Sequence, residues 1–208
     1  MRVGAVVLAA GQGSRLGGYP KALLQWQAMP LIHHHLRALD AAGVDATVVV
    51  TGFYHQAIEP ELASFNVEVV RNPDPARGQP SSVRLGMQAI GADFDAIIMM
   101  LCDQPLINAQ DLKMLLEGFS QRVGGEILVP QVNGQRGNPI VVSGLAMAQM
   151  LDADETMYCR RFMDENPGTV CFMQTENAHF IADLDTPADL AGFEARWGQR
   201  ITKPPMAL

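Results

Sequence analysis

Three short segments gather the residues able to handle phosphate and metal ions. They are Leu8-Ala9-Ala10-Gly11-Gln12-Gly13-Ser14-Arg15, continuing to Lys21; Cys102-Asp103-Gln104-Pro105; and Asp183-Leu184-Asp185-Thr186-Pro187. In the first, glycines uncover backbone N–H groups while Arg15 and Lys21 supply positive charge, a combination that stabilises polyphosphate oxygens. It matches neither familiar phosphate loop. A dinucleotide fingerprint would need glycine at position 16, where Leu16 stands, and a Walker-type loop needs Gly-Lys-Ser/Thr, whereas Lys21 lies between Pro20 and Ala22. Asp103 directly follows an apolar run, where a carboxylate is costly unless solvated or bound to a cation. Beside a polyphosphate that cation is Mg²⁺, which takes one or two carboxylates plus phosphate oxygens; the alternative is a simple cap of the turn before Pro105. Asp183 and Asp185 alternate along an expected strand and so share a face. Asp183, deeper in that strand, is the expected ligand; Asp185 is the expected cap of a helix that Pro187 opens. Within "NPDPARGQPSSVRLG", Gly78 and the Ser81-Ser82 pair could admit a base or ribose. Arg84 could meet a phosphate or a second substrate, and a serine there also suits a helix N-cap.

These segments need a scaffold that delivers them to one place. Valine- and isoleucine-rich runs alternate with helical patterns: "VGAVVLAA", helix "PLIHHHLRALDAAG", "DATVVVTG", a weaker helix around "YHQAIEPELA" interrupted by Pro60, "NVEVVRNP", helix "SSVRLGMQAI" and "DAIIMMLCDQP". That rhythm predicts βαβ units, a mostly parallel sheet and helices on both faces, an α/β three-layer αβα arrangement of Rossmann-like kind. After the helix "NAQDLKMLLEGFSQR", the stretch "EILVPQVNGQRGNPIVVS" predicts two strands turning at Asn133-Gly134, a small added β element in the second half. Ligands of open parallel sheets bind at the carboxyl ends of the strands. The opening segment and Asp103 both stand there. With no long linker or internal repeat, residues 1–208 read as one domain.

Composition narrows the partners. Of 208 residues, 15 are Lys or Arg and 22 Asp or Glu, a formal net charge of −7. Unspecific attraction to nucleic acid or an anionic membrane is disfavoured, so an anionic ligand needs a local cluster or a metal ion. Three cysteines, without a Cys-x-x-Cys pair, offer no disulfide framework or zinc site. No apolar run approaches the roughly 20 residues of a membrane helix, and "MRVGAVVLAA" reads as a buried first strand rather than a leader. The expectation is a cytoplasmic protein. His33 to His35 sit on successive helix positions about 100° apart and cannot converge on one metal. Cys102 reads as a buried apolar residue and the methionines as core filler.

"LAAGQGSRLGGYPK" resembles the LAAG-x-x-x-R-(M/L)-G-x-x-K opening of the MobA-like nucleotidyltransferases related to molybdenum cofactor synthesis. "CDQP" resembles their strand-end metal aspartate, "SSVRLG" their S-(L/V)-R-x-G helix start, "GQRGNP" their R-G-(H/N)-P stretch, and "DLDTPADL" their closing D-x-D-T-P-x-D segment. The order agrees and the resemblance spans residues 3 to 193. It implies a fold of the nucleotide-diphospho-sugar transferase type, with residues 1–107 as the nucleotide-binding half. Residues 108–195 would form the acceptor-binding half with its closing strand and helix. It also implies a nucleotide held by Leu8, Ala9, Ala10, Gly11, Gly13, Ser14, Lys21, Gly78 and Ser82, and Mg²⁺ on Asp103 with Asp183 or Asp185. Arg15, Lys21 and Asp103 would act in catalysis, and Arg84, Asn138 and Arg160 would meet the acceptor. Ala9-Ala10-Gly11 and Pro20-Lys21 resemble the cytidylyl-transferring branch; the guanylyl branch carries LAGG and an aspartate before the lysine. That branch transfers CMP from CTP to the terminal phosphate of molybdopterin or molybdenum cofactor, and its product would pass to a recipient molybdoenzyme or its chaperone. Asn138 stands where the branch often has histidine, and "ADETMYCRRF" departs from its G-D-x-G-A-R stretch, with Arg160 in the arginine's place. The alternatives are transfer to another phosphorylated acceptor, such as a sugar phosphate or small phosphorylated alcohol, a non-catalytic cofactor carrier, and a regulatory CTP-binding module. A carrier would have no need of Arg15, Lys21, Asp103 and Asp183 together.

Overall fold

A computed structural model describes residues 1–205. In chain order the first half contains β1 (Val3–Ala9), β2 (Gln25–Trp26), β3 (Met29–Pro30), α1 (Leu31–Ala42), β4 (Ala46–Thr51), α2 (His55–Ile58), β5 (Glu68–Arg71), α3 (Gln79–Ile90) and β6 (Ala96–Leu101). The second half adds α4 (Ala109–Gln121), β7 (Ile127–Val132), β8 (Gln135–Arg136), β9 (Ile140–Ser143), α5 (Gly144–Asp152), α6 (Cys159–Glu165), β10 (Val170–Gln174), α7 (Pro187–Trp197) and β11 (Ile201–Thr202). The apolar runs form the interior strands because both of their faces are covered.

The main sheet runs β10-β7-β9-β6-β1-β4-β5, with β8 folded back on β7. β1 lies in its middle, parallel to β4 and β6, with Leu8 opposite both Val50 and Leu101. The ends of these three strands therefore emerge level, at Ala9, Thr51 and Leu101. On one face α1 and α4 bury Ile32, Leu36, Leu39, Leu112, Leu115 and Phe119. On the other, α3, α5 and α6 bury Val83, Met87, Met147, Met150 and Phe162. The three-layer expectation holds, and methionines do fill the core. Helix α3 lies so close to β1 that a Cβ on Gly86 would fall 2.4 Å from Val6 Cγ1. Only glycine permits this approach, which brings the start of α3 against the end of β1.

Three details differ from the expected elements. The second-half hairpin turns at Asn133-Gly134, both with positive φ (51° and 82°), as a tight hairpin turn requires. Its return strand β8 is short, however, and a third strand, β9, inserts antiparallel between β7 and β6. Residues 182–185 are not a strand. The chain leaves a short 3₁₀ turn at Ala178–Ile181 and passes below the strand ends, where Leu184 N–H donates to Asp103 O at 2.8 Å. Finally, β2, β3 and β11 form a small antiparallel sheet beside the opening loop, turning at Gln27 and Ala28 with positive φ. No helix among the described residues is long and apolar enough to cross a membrane.

Candidate active site

Where β1 ends, the chain breaks out of the sheet at Gly11 and bends at Gly13. Gly13 has φ 61°, and a Cβ there would lie 2.0 Å from Tyr19 O. Both conformation and space demand glycine. Gly18 N–H returns to Gly13 O at 3.0 Å, closing the loop, and Leu16 anchors it in a small cluster with Leu24, Leu31, Leu184 and Phe193. From the end of β4, the Tyr54 hydroxyl sits between the carbonyls of Gln12 (3.0 Å) and Gly18 and donates to one or the other. Lys203 Nζ holds Leu16 O at 2.7 Å from below. The loop is thus fixed at its rim while its glycine backbone faces the cavity.

Asp103 stands two residues past the end of β6, inside a turn. Lys21 Nζ reaches Asp103 Oδ2 at 2.8 Å and also bonds Asp185 Oδ1, to which Arg15 Nη2 donates at 2.9 Å. Burial works against the charge on Lys21, but Asp103 and Asp185 outweigh it and raise its pKa. Asp103 Oδ1 is buried without any hydrogen-bond partner. Burial, reinforced by the negative charge of Asp103, pushes the half-buried Asp183 carboxyl up to about 6. Two carboxylates therefore share one ammonium group, Asp183 lies close by, and the buried Asp103 Oδ1 is left unpaired.

The assignment of Asp185 as a helix cap is corrected by this geometry. Thr186 caps α7, accepting from Asp189 N–H, and Asp189 Oδ2 accepts in return from Thr186 N–H (2.7 Å) and Asp185 N–H (3.0 Å). This capping box leaves the Asp185 carboxylate free to face Lys21 and Arg15. The alternative that Asp103 merely caps a turn also fails, since its side chain bonds Lys21 rather than backbone N–H groups.

Gly78, with φ 91°, opens α3, and its neighbour Gln79 and Ser82 face the same space. The buried Asn72 amide sets the two serines, donating to Ser81 Oγ (2.8 Å) and Ser82 Oγ (2.9 Å). Arg84 turns elsewhere. Its guanidinium donates to Met150 O and Leu151 O (2.6 Å to the latter), satisfying the free carbonyls of the last turn of α5. It lines neither cavity, so its expected contact with a phosphate or acceptor is replaced by a structural role.

A cavity of about 720 Å³ brings together Leu8, Ala9, Ala10, Gly11, Gly13, Ser14, Arg15, Lys21, Gly78, Ser82, Asp103, Asp183 and Asp185. A second, of about 460 Å³, adjoins it through Leu8, Gln79 and Leu101 and contains Asn138 and Arg160, together with Arg136 and Tyr158 over an apolar floor that includes Met99, Val129 and Met163. Sequence reasoning missed Phe53, Gln12 and Gln79 in the first cavity and Arg136 and Tyr158 in the second. Phe53 had a usable signal, because it follows Gly52 at the end of β4, the kind of position that singled out Asp103.

The arrangement can hold a polyphosphate against loop amides, Lys21, Arg15 and the N-terminus of α3. It also suits a hard divalent cation: the donors are carboxylate oxygens, and the buried Asp103 Oδ1 lacks a partner. No group of three or more potential ligands occurs among the described residues, and an ion that completes its shell with phosphate oxygens and water needs fewer. His33, His34 and His35 diverge as expected, meeting Glu61 O, Trp26 O and Gln104 O separately. Burial pushes the Cys102 thiol up, so it is not a nucleophile at neutral pH.

Comparison with known proteins places this geometry. The family model described as MobA-like NTP transferase domain matches residues 5–170. The chain is 27% identical over 194 residues to the molybdenum cofactor cytidylyltransferase of Escherichia coli K12, covering 92% of this chain and 95% of that protein. It is 30% identical over 190 residues to the nicotine blue oxidoreductase of Paenarthrobacter nicotinovorans, covering 87% and 91% respectively. Among solved structures, Rv0371c from Mycobacterium tuberculosis H37Rv, crystallised in complex with manganese, superposes with a TM-score of 0.75 at 20% identity, covering 94% of this chain and 100% of that one.

Proposed function

The chain belongs to the MobA-like NTP transferase family and is a nucleotidyltransferase, and from that premise we propose that it transfers CMP from CTP to the terminal phosphate of molybdopterin or molybdenum cofactor, with Mg²⁺ and with release of pyrophosphate. The observation that carries this reading is the meeting of Lys21, Asp103, Asp183 and Asp185 beneath the glycine loop, next to a cavity that holds Asn138 and Arg160. The similarity to the Escherichia coli cytidylyltransferase over nearly the full length of both chains supports the choice of nucleotide and acceptor.

The triphosphate lies along the loop from Ala9 to Ser14, whose amides offset its charge without reorganising. Lys21 stabilises the phosphate being transferred and Arg15 the departing pyrophosphate. An oxygen of the acceptor's phosphate forms a bond to the α-phosphorus, the α–β phosphoanhydride bond breaks in line, and its electron pair leaves on pyrophosphate. The attacking oxygen is already anionic near neutral pH, so no general base is needed, in keeping with a site that lacks a Ser-His-Asp arrangement. The work of the chain is positioning and charge stabilisation. Mg²⁺ on Asp103, with Asp183 or Asp185, would supply further charge compensation to the phosphates. Lys21 pairs with Asp103 and Asp185 in this structure, and it would be free to meet the nucleotide where a cation took up those carboxylates.

A second reading keeps the transfer and changes the acceptor to a sugar phosphate or small phosphorylated alcohol. It is favoured by Asn138 and by the "ADETMYCRRF" stretch, which supplies Tyr158 and Arg160 to the second cavity. Incubation with CTP, Mg²⁺ and molybdopterin, followed by mass spectrometry, distinguishes the two. A pterin product heavier by one CMP is expected. Unchanged pterin beside CMP adducts of a sugar phosphate would establish the second reading instead.

A further inference from the structure

Two residues with no part in the transfer chemistry lie buried directly behind it. His35, on the inner face of α1, and Gln104, next to Asp103, are both fully inaccessible. His35 Nε2–H donates to Gln104 O at 3.0 Å, and the Gln104 amide donates from Nε2 to Phe180 O at 2.9 Å. Their remaining polar atoms, His35 Nδ1 and Gln104 Oε1, are buried without partners. Each such atom costs stability that an apolar side chain would avoid. Packing alone therefore gives a poor account of this pair.

What the pair accomplishes is geometric. Residues 182–185 belong to no sheet or helix, so other bonds must set their distance from Asp103. Gln104 fastens the chain at Phe180, and Asp103 O fastens it at Leu184 through a 2.8 Å bond from the Leu184 N–H. Asp183 lies between these two points. His35 ties the opposite side of the same turn to α1, the helix on that face of the sheet. The turn that carries Asp103 is thereby held between a rigid helix and the acidic segment.

We propose that His35 and Gln104 are positioning residues that fix the separation between the Asp103 carboxylate and the Asp183–Asp185 segment, and through it the affinity for a divalent cation. The inference rests on the reading above that these carboxylates bind the cation.

Mn²⁺ serves as the probe, because the electron paramagnetic resonance of the free ion reports binding without turnover. Gln104→Leu raises the Mn²⁺ Kd about tenfold, within the range for residues that orient metal ligands. The Mg²⁺ midpoint for pyrophosphate release rises by a similar factor, while KM for CTP at saturating Mg²⁺ stays within about twofold. His35→Leu moves both quantities in the same direction. His35→Gln, whose amide can replace the Nε2–H donor, restores them. Should Gln104→Leu fail to fold, the His35 pair decides. Folded variants with wild-type Mn²⁺ affinity overturn the proposal, as does an equal loss in His35→Leu and His35→Gln, or a wild type that binds no Mn²⁺. A wild type that binds Mn²⁺ yet transfers no nucleotide defeats the transfer reading and leaves the positioning role standing.

Discussion

In the larger cavity the working groups are backbone amides, Arg15 and Lys21 of the loop after β1, Asp103 two residues beyond the end of β6, and Asp183 and Asp185 on the segment fastened to Asp103. In the smaller cavity they are Arg136, Asn138, Tyr158 and Arg160, carried on β8, the β8–β9 connection and the start of α6. The first wall is held by the sheet itself, by Gly13 and Gly86, which admit no larger residue, and by the Lys21–Asp103 pair. The second has a floor on the sheet at Met99 and Val129, but its polar groups sit on a hairpin and at the start of a seven-residue helix. Arg136, for instance, makes a 3.4 Å contact with the exposed Asp164 and lies 5.5 Å from the centre of the Phe172 ring. The contrast fits the proposed division of labour, in which the larger cavity serves a step common to all acceptors and the smaller one chooses among them.

The largest expected effect tests the larger cavity. Asp103→Ala removes the carboxylate that pairs with Lys21 and is expected to lower kcat about a thousandfold, with circular dichroism unchanged. Retained activity would break the division of labour at its base. Arg160→Ala tests the smaller cavity. It should raise KM for the acceptor about tenfold and leave KM for CTP nearly unchanged, as loss of a charge-assisted contact does; an equal rise in both would merge the two cavities into one function.

Acidity sharpens the comparison further, because the strongly shifted carboxyl belongs to the larger cavity. With Asp183 titrating at about 6, its ionised fraction falls about fourfold between pH 7.5 and pH 5.5, so the Mg²⁺ midpoint should rise by about that factor. Arg160-dependent acceptor binding should lack this signature. The raised value also has a sign for stability. The free protein is favoured while Asp183 is protonated and loses that advantage as pH rises from about 4 through 6. Asp183→Asn should therefore be more stable than wild type at pH 7.5, by about 1 kcal/mol once partial exposure is allowed for, and indistinguishable from it near pH 4. Thermal melts across this range check it. The smallest effect is expected at Phe53, exposed at the mouth of the larger cavity. Phe53→Ala should raise KM for CTP about threefold, the scale of one lost stacking contact, without changing kcat.

The larger cavity was legible in the sequence because strand ends are. An apolar run that stops at glycines or at an aspartate declares both the element and the direction it points. That logic located the opening loop and Asp103, and it would have found Phe53. It failed where position depends on side-chain bonds made at long range. Arg84 looked like a phosphate ligand, yet it secures α5, some 66 residues away in the chain. Asp185 looked like a cap for a different reason: the Thr186-Pro187-Ala188-Asp189 capping-box pattern is local and legible, and it was passed over for the residue before it. The small sheet of β2, β3 and β11 gave no warning, since its turn at Gln27-Ala28 lacks glycine and asparagine and its third strand comes from residues 201–202.

Pyrophosphate release by the purified protein with Mg²⁺, molybdenum cofactor or its metal-free pterin, and each nucleoside triphosphate in turn tests the central claim most directly. Release with CTP and not with ATP, GTP or UTP is the predicted result. No release from any triphosphate with either acceptor would contradict it.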